Sequence, residues 1–302
     1  MSEVASRYRQ DMQRAWTRIA AIPTGRLETP LGTVEYAERG TGLPVLVCHG
    51  VFGCHADGVD GWFTRMLGEG YQVIAPSRFG YFGSTLPPKA TPADQAEVYA
   101  LLLEHLGIDR TAILAYSAGS ASALELALRH PDRILGLVLA NCRLGGPTPS
   151  RLLKPIQGAV YGWERLWWLY RRLLPSVYGR MIGVPKGYQP TPEEVQVIRA
   201  VSELQFPLRP RKQGALFDGF VSNLVADRFG FEELTVPTLI VSAADDHWAR
   251  HEYAVAAAGR IPGAKLVAID RGGHLFLSHD AQVRAAIGGF IESVTEPERR
   301  PT

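Results

Sequence analysis

The chain has 302 residues, 46% hydrophobic and 21% charged, and its 32 basic residues nearly balance its 30 acidic ones. This composition is typical of a globular protein that buries one large core. A net charge of +2 provides no strong field for a nucleic-acid backbone, so we exclude nucleic-acid binding. The cysteines lack metal-ligand spacing, and their odd number of three argues against a disulfide framework. We therefore expect a cytoplasmic protein without a metal site.

Residues 1–23 are predicted to form an amphipathic helix. Apolar side chains recur every three or four positions on one face, at Val4, Tyr8, Met12, Trp16 and Ile19. The opposite face is basic, but docking on the protein's own surface is a commoner use of such a helix than membrane binding. The segment has no apolar core of signal-peptide length, and no apolar run of about 18 residues occurs elsewhere. We expect neither a membrane span nor membrane association.

Apolar segments that read as strands alternate with segments that read as helices. The predicted strands cover residues 32–38, 43–48, 71–75, 112–116, 134–140, 236–241 and 264–269. Thr91 and Pro92 mark the start of one intervening helix, with a capping hydroxyl and a proline in the first position. Because these strands are apolar throughout rather than alternating, we predict an α/β fold with a mostly parallel sheet that helices flank on both faces.

Residues 142–233 interrupt this alternation. They contain no comparable strand, and prolines divide them into helix-prone pieces. We predict a helical cap insertion here, laid over the edge of the sheet where the strands end and where ligands bind in such folds. The core would then comprise residues 24–141 and 234–296. The charged, proline-containing residues 297–302 are expected to form a frayed tail.

The stretch Ala-Tyr-Ser-Ala-Gly at residues 115–119 joins an apolar strand to an alanine-rich helix. A serine in so sharp a turn is held clear of the sheet, below the backbone N–H groups that begin the helix. Ala115 and Gly119 supply the small side chains that the crowded backbones require. Such a pattern can also be an ordinary turn. A catalytic role for Ser117 therefore requires a histidine and an acid elsewhere in the sequence.

Two later strand ends supply these groups. The strand near residue 240 is followed by Asp245 and Asp246, and the next one by Gly-Gly-His, ending in His274. The carboxyl ends of parallel strands meet at one edge of the sheet, where a carboxylate can orient an imidazole beside a serine. From the residues alone, either Asp245 or Asp246 can take this position.

The order of serine, acid and histidine and the Gly-Gly-His loop resemble the α/β-hydrolase superfamily, over residues 32–291. This resemblance favours Asp246 over Asp245, because Ala243 stands where the family's Gly-x-x-Asp arrangement has its glycine. His49-Gly50 resembles the family's oxyanion loop. We accordingly expect the backbone N–H of Ala118 and that of Val51 or Phe52 to bind an oxyanion.

Other candidate residues receive weaker interpretations. We expect His49 to hold the oxyanion loop in shape and Arg78 to brace loops without a chemical role. His55 either lines the pocket or faces the solvent. His247 and His251 have the spacing of two metal ligands on a helix, but Trp248 stands where a zinc protease has its glutamate, so we expect no metal. No cofactor is expected.

Aromatic side chains of the cap, including Trp163 and Trp167, are expected to pack against the core and line an apolar pocket with Tyr116; the alternative is a contact with lipid or a partner subunit. We therefore predict a serine hydrolase whose small-molecule substrate is a carboxylic ester, or a related acyl compound, with an apolar moiety. The same three residues also serve carbon-carbon bond hydrolases, lactonases, amidases and lyases. The alternative from another class is a ligand receptor that has kept the three residues.

Overall fold

The computed structural model describes residues 3–147, 150–225 and 229–299. These residues form an eight-stranded sheet in the order β1-β2-β4-β3-β5-β6-β7-β8. The strands are β1 (Gly25–Thr29), β2 (Gly32–Arg39), β3 (Leu43–Cys48), β4 (Tyr71–Pro76), β5 (Thr111–Tyr116), β6 (Ile134–Ala140), β7 (Thr238–Ala243) and β8 (Lys265–Ile269). The β1-β2 and β2-β4 pairs are antiparallel, and the other neighbouring pairs are parallel. The predicted mostly parallel sheet is confirmed.

Helices cover both faces of this sheet. Their bounds are α1 (Glu3–Ala20), α2 (His55–Val59), α3 (Trp62–Leu67), α4 (Pro92–His105), α5 (Ser120–Arg129), α6 (Lys154–Gly162), α7 (Glu164–Leu173), α8 (Pro175–Met181), α9 (Pro192–Leu204), α10 (Lys212–Phe220), α11 (His251–Arg260) and α12 (Asp280–Arg299). Val45 and Val47 of β3 pack toward α3 and α12, whereas Leu46 and Cys48 pack toward α4, α5 and α11. Successive residues of one strand thus enter opposite cores.

The central strands are apolar because neither of their faces reaches solvent. Every residue of β5 and β6 is buried. Burying one such Leu, Ile or Val side chain contributes about 1.5–3 kcal/mol relative to leaving it exposed. The sheet centre is therefore a rigid base for the residues that follow the strand ends.

Three features differ from the sequence-based expectations. β1 was not predicted, because it is a short edge strand with one large apolar residue, Leu27. The predicted sharp turn between β5 and the alanine-rich helix α5 includes a 3-10 turn, Ser117–Gly119, which the sequence analysis did not foresee. α12 continues to Arg299, so the prediction that a frayed tail begins at residue 297 is wrong for residues 297–299, which are helical. Residues 300–302 of the expected tail lie outside the described residues.

The residues between β6 and β7 form α6 to α10, and their described part contains no strand. We call residues 142–233 the cap segment. The N-terminal helix α1 docks on it: Tyr8 Oη donates to Glu164 Oε1 at 2.8 Å, and Trp168 Nε1 donates to Asp11 Oδ2 at 2.7 Å. Within the described ranges, no helix combines the length and apolar character that crossing a bilayer requires.

Candidate active site

Ser117 occupies a strained turn at the carboxyl end of β5. Its φ is +54°, a left-handed conformation that is costly for a residue with a side chain and common at functional sites. Gly119 is required because a Cβ there would lie 2.1 Å from the carbonyl oxygen of Cys48. The turn that begins at Ser117 therefore packs closely against the end of β3, and this contact holds the serine in place.

His274 lies between Ser117 and Asp246. Its Nε2 is 2.9 Å from Ser117 Oγ, and its Nδ1 is 2.6 Å from Asp246 Oδ2. Asp246 Oδ1 accepts hydrogen bonds from the backbone N–H groups of Trp248 and Ala249, at 2.8 and 3.1 Å. Burial acts to raise the pKa of Asp246, but His274 and these hydrogen bonds outweigh it and lower that pKa. The acid therefore stays ionised beside the imidazole.

The neighbouring Asp245 has a different environment. Its two carboxylate oxygens accept hydrogen bonds from the N–H groups of Gly272 and Gly273, at 3.2 and 2.8 Å. Both glycines have positive φ, +111° and +60°, which exposes their N–H groups to one side of the loop. Asp245 holds the loop that carries His274, whereas Asp246 contacts the imidazole itself.

Sequence reasoning missed two residues that hold this loop. Asn141, directly after β6, donates through Nδ2 to the carbonyl oxygens of Gly273 and His274, at 3.1 and 3.0 Å. Its Oδ1 accepts from Ala243 N–H at 2.8 Å. Gly183 of the cap segment accepts from His274 N–H at 3.0 Å through its carbonyl oxygen. The sequence offered one signal for Asn141, because it is a polar residue directly after a buried strand, at the same edge of the sheet as Ser117. No feature of the sequence around Gly183 indicated its contact with His274.

Tyr116 lies beneath the histidine. Its hydroxyl donates to the carbonyl oxygen of His274 at 2.7 Å, and the two ring centroids are 4.9 Å apart. Trp62 also packs against Tyr116, with its ring centroid 5.4 Å from that of Tyr116. Tyr116 thus supports His274 and, as the sequence predicted, lines the cavity described below.

The loop after β3 lies directly over Ser117. A Cβ on Gly50 would be 3.0 Å from Ser117 Cβ. His49 holds the loop, because its Nδ1 is 2.8 Å from the Gly50 carbonyl oxygen and its Nε2 accepts from Arg78 N–H at 3.0 Å. Phe52 has a φ of +61°, and its carbonyl oxygen accepts from Arg211. The peptide on either side of Phe52 is therefore constrained.

Arg78 connects the core to the cap segment. It is buried, and its two terminal nitrogens bond the two oxygens of Asp218 on α10 at 2.7 and 2.5 Å. Tyr81 also donates to Asp218, at 2.5 Å. This buried bidentate pair fits the expectation that Arg78 braces loops.

A cavity of about 680 Å³ opens above Ser117, between the core and the cap segment. Two of the predicted pocket residues, Tyr116 and Trp167, line it, together with the three candidate oxyanion residues Val51, Phe52 and Ala118. Most of its other wall is apolar or aromatic, with polar groups among them: Trp62, Phe63, Gln157, Tyr161, Met181, Ile182, Leu204, Arg143, His247 and Arg250. The cavity can therefore enclose an apolar molecule next to the serine.

Two predicted pocket residues lie elsewhere. Trp163 is 56% exposed and does not line the cavity, because it stands between α6 and α7 with its side chain directed outward. His55 neither lines the pocket nor faces solvent. It is buried at the start of α2, where its Nδ1 is 2.9 Å from Ser77 Oγ. Burial lowers the pKa of His55, while Glu35 acts in the opposite direction.

The two histidines with metal-like spacing have separate environments. His247 lines the cavity, whereas Nδ1 of His251 is 3.1 Å from Ser242 Oγ. Among the described residues, no group of three or more His, Cys, Asp or Glu side chains is arranged to hold a metal ion.

Curated proteins that are matched over most of their length include a hydrolase of Pseudomonas putida. A 2-hydroxy-6-oxononadienedioate/2-hydroxy-6-oxononatrienedioate hydrolase of Pseudomonas putida is 27% identical over 287 residues, which cover 85% of this chain and 90% of that protein. An uncharacterised hydrolase of Bacillus subtilis is 34% identical over 111 residues. That match covers 36% of this chain and only 38% of the relative's length.

Solved structures and the family profile agree on the fold. An alpha/beta hydrolase fold protein from Nakamurella multipartita superposes with a TM-score of 0.69 and 28% identity, over 90% of this chain and 99% of that one. An esterase from Thermogutta terrifontis, with a TM-score of 0.65, 24% identity and coverage of 90% and 99%, shows the same fold. Residues 44–280 match the profile of the family described as alpha/beta hydrolase fold. The chain belongs to the alpha/beta hydrolase fold family.

Proposed function

We propose that the protein is a serine hydrolase that cleaves a carboxylic ester, or a related acyl compound, through an acyl-enzyme on Ser117. One observation carries this proposal: the hydrogen-bonded series Ser117, His274 and Asp246 opens into a largely apolar cavity. A nucleophile, a base and an orienting acid at these distances are the arrangement that acyl transfer requires. The apolar wall favours a substrate with an apolar acyl or alcohol part.

In the first half of the reaction, Ser117 Oγ attacks the carbonyl carbon of the substrate while His274 Nε2 accepts the hydroxyl proton. Asp246, bonded to Nδ1, sets the tautomer that leaves Nε2 unprotonated and stabilises the imidazolium that forms. When the tetrahedral intermediate collapses, the carbon-oxygen bond to the alcohol breaks and His274 returns the proton to the leaving oxygen. The products of this half are the alcohol and the Ser117 ester.

The negative oxygen of the intermediate needs hydrogen-bond donors, each worth about 3 kcal/mol in the transition state. We assign one to Ala118 N–H, at the start of the turn that leads into α5. We assign the other to Val51 N–H or Phe52 N–H in the oxyanion loop, since both residues line the cavity next to Ser117.

In the second half, a water molecule attacks the Ser117 ester. His274 Nε2 removes one proton from this water as its oxygen bonds to the acyl carbon. Collapse of the second tetrahedral intermediate breaks the bond to Ser117 Oγ, which takes back the proton from His274. The carboxylic acid leaves, and the enzyme returns to its starting state.

The test compares three proteins on a p-nitrophenyl acyl ester. Ser117→Ala should lower kcat/KM by about 10⁴-fold or more, with an unchanged circular dichroism spectrum. Ser122→Ala is the matched control, since Ser122 lies in α5 and bonds the Gly119 carbonyl oxygen rather than facing the cavity. Near-wild-type hydrolysis by Ser117→Ala would overturn the proposal. A folded wild type that resists labelling by a fluorophosphonate would instead indicate a ligand receptor.

A carbon-carbon bond hydrolase is the second candidate. It is supported by the Pseudomonas putida relative, whose name describes hydrolysis of an oxononadienedioate and which is matched over 90% of its length. Ester, lactone and dienone substrates should be assayed in parallel on wild type and Ser117→Ala. A dienone consumed with much higher kcat/KM than any ester would favour this candidate, whereas preference for the ester supports the proposed reaction.

A further inference from the structure

The outward side of the first cap helices exposes large apolar side chains. The side chains of Leu152, Leu173 and Ile156 are 83%, 68% and 62% exposed, and those of Trp163, Leu166 and Val177 are also exposed. We call these six residues the outer cap face. Single exposed apolar residues need no explanation, but a group of them in one short segment marks an interaction surface.

None of the six exposed side chains lines the cavity. On α7, Trp163 at the N-cap, Leu166 and Leu173 recur at helical spacing, whereas Trp167 lines the cavity and Trp168 packs against Tyr8 of α1. On α6 the cavity is lined by other residues, Gln157 and Tyr161, while Ile156 is exposed. The inner side of these helices is occupied, and the outer cap face has no covering element within the described structure.

The same segment is strongly basic. Residues 150–181 contain six Lys or Arg and one acid, a formal charge of +5, whereas the whole chain has +2. The one acid, Glu164, is buried and accepts hydrogen bonds from Tyr8 Oη and from Leu208 N–H. Lys154, Arg165, Arg172 and Arg180 are exposed, although Arg172 also contacts Asp11. The segment that carries the outer cap face thus has four exposed basic residues and no exposed acid of its own, although Asp11 and Glu203 from other helices contact Arg171 and Asp11 also contacts Arg172.

We propose that the outer cap face binds the surface of an anionic lipid bilayer. Trp and Leu side chains flanked by Lys and Arg match the boundary between lipid headgroups and acyl chains, and basic residues near an anionic surface are attracted to it. A second copy of the chain fits less well. A two-fold contact would place this basic face against itself, so like charges would oppose association. The sequence led us to expect no membrane association and cap aromatics packed against the core. This inference differs because Trp163 and Leu166 are exposed in the structure.

The experiment is co-flotation of the purified full chain with two kinds of lipid vesicle. One kind contains phosphatidylcholine alone, and the other also contains about 30% of the anionic lipid phosphatidylglycerol. Wild type should bind the anionic vesicles and bind the neutral ones much more weakly. Leu166→Gln with Leu173→Gln should reduce binding about tenfold or more, since it removes two exposed apolar groups from the interface. Lys154→Glu with Arg180→Glu should reduce it by a similar factor.

Matched controls are available outside the outer cap face. Val195→Gln with Val255→Gln changes two exposed apolar residues of α9 and α11, and Lys89→Glu with Lys265→Glu makes the same change in net charge. Neither pair should alter binding. Ser117→Ala should bind like wild type, so the result does not depend on the proposed reaction. Equal binding by the Leu166 and Leu173 variant, or no binding by wild type, would overturn the proposal. A dimer in light scattering that the same variant dissociates would assign the face to a second copy.

Discussion

Asn141 connects three strand ends at the candidate active site, and Asn141→Ala tests how much that connection contributes. The substitution leaves the buried N–H of Ala243 without its partner, which costs about 1–3 kcal/mol. It also removes hydrogen bonds to the carbonyl oxygens of Gly273 and His274, each worth about 0.5–1.5 kcal/mol net, because those oxygens keep other donors. We expect a loss of about 2–6 kcal/mol in the free energy of unfolding.

The same substitution should lower activity. His274 would lose one of the two donors on its carbonyl oxygen, and a shift of about 1 Å in a catalytic group can cost ~10²-fold in rate. The assays are urea unfolding followed by circular dichroism and kcat/KM on the p-nitrophenyl ester. Tyr116→Phe is the control, since it removes only the other donor to His274 and should cost about 1 kcal/mol. The reasoning is refuted if Asn141→Ala matches wild type in both stability and kcat/KM.

Two further predictions concern charged groups. Asp218→Leu leaves Arg78 buried without its carboxylate partner and should lower the free energy of unfolding in urea by about 3–5 kcal/mol. Adding Arg78→Met should restore much of this loss, because no buried charge then remains unpaired. A double variant as unstable as Asp218→Leu alone would contradict this explanation. The pKa of Asp246 is lowered on folding, so its stabilising contribution is present above the unfolded pKa of about 3.9 and disappears as the pH falls through the folded pKa. The stability difference between wild type and Asp246→Asn should therefore shrink on acidification, and a constant difference would contradict it.

The fold was predictable because its signals are local. The segments at β3 and β6 are continuous apolar runs, and parallel strands buried on both faces require such runs. The start of α4 was predictable for a similar reason, since Thr91 Oγ1 accepts from Asp94 N–H within a single turn. β1 escaped prediction because an edge strand needs few apolar residues.

The positions of individual side chains were less predictable. His55 is polar and lies in a loop-like sequence, yet the neighbouring β4 end supplies Ser77 and the side chain is buried. Trp163 and Trp167 are aromatic residues of one short segment, but only Trp167 turns toward the cavity. The environment of each of these side chains depends on residues that are distant in the chain, which periodicity does not reveal.

The sequence by itself determined which residue types meet at Ser117. A small-residue turn after an apolar strand, with an acid and a Gly-Gly-His loop after two later strands, is specified by residue type and order, and parallel strands bring those ends to one edge. The residue types left both Asp245 and Asp246 open, and the family resemblance favoured Asp246. The tertiary structure places Asp245 against the loop backbone and Asp246 against the imidazole. It also decided which side of the cap helices meets the cavity and which remains exposed. Packing between segments that are distant in the chain sets the contacts of the two aspartates and the orientation of the cap helices. The local sequence pattern is compatible with either aspartate and with either orientation.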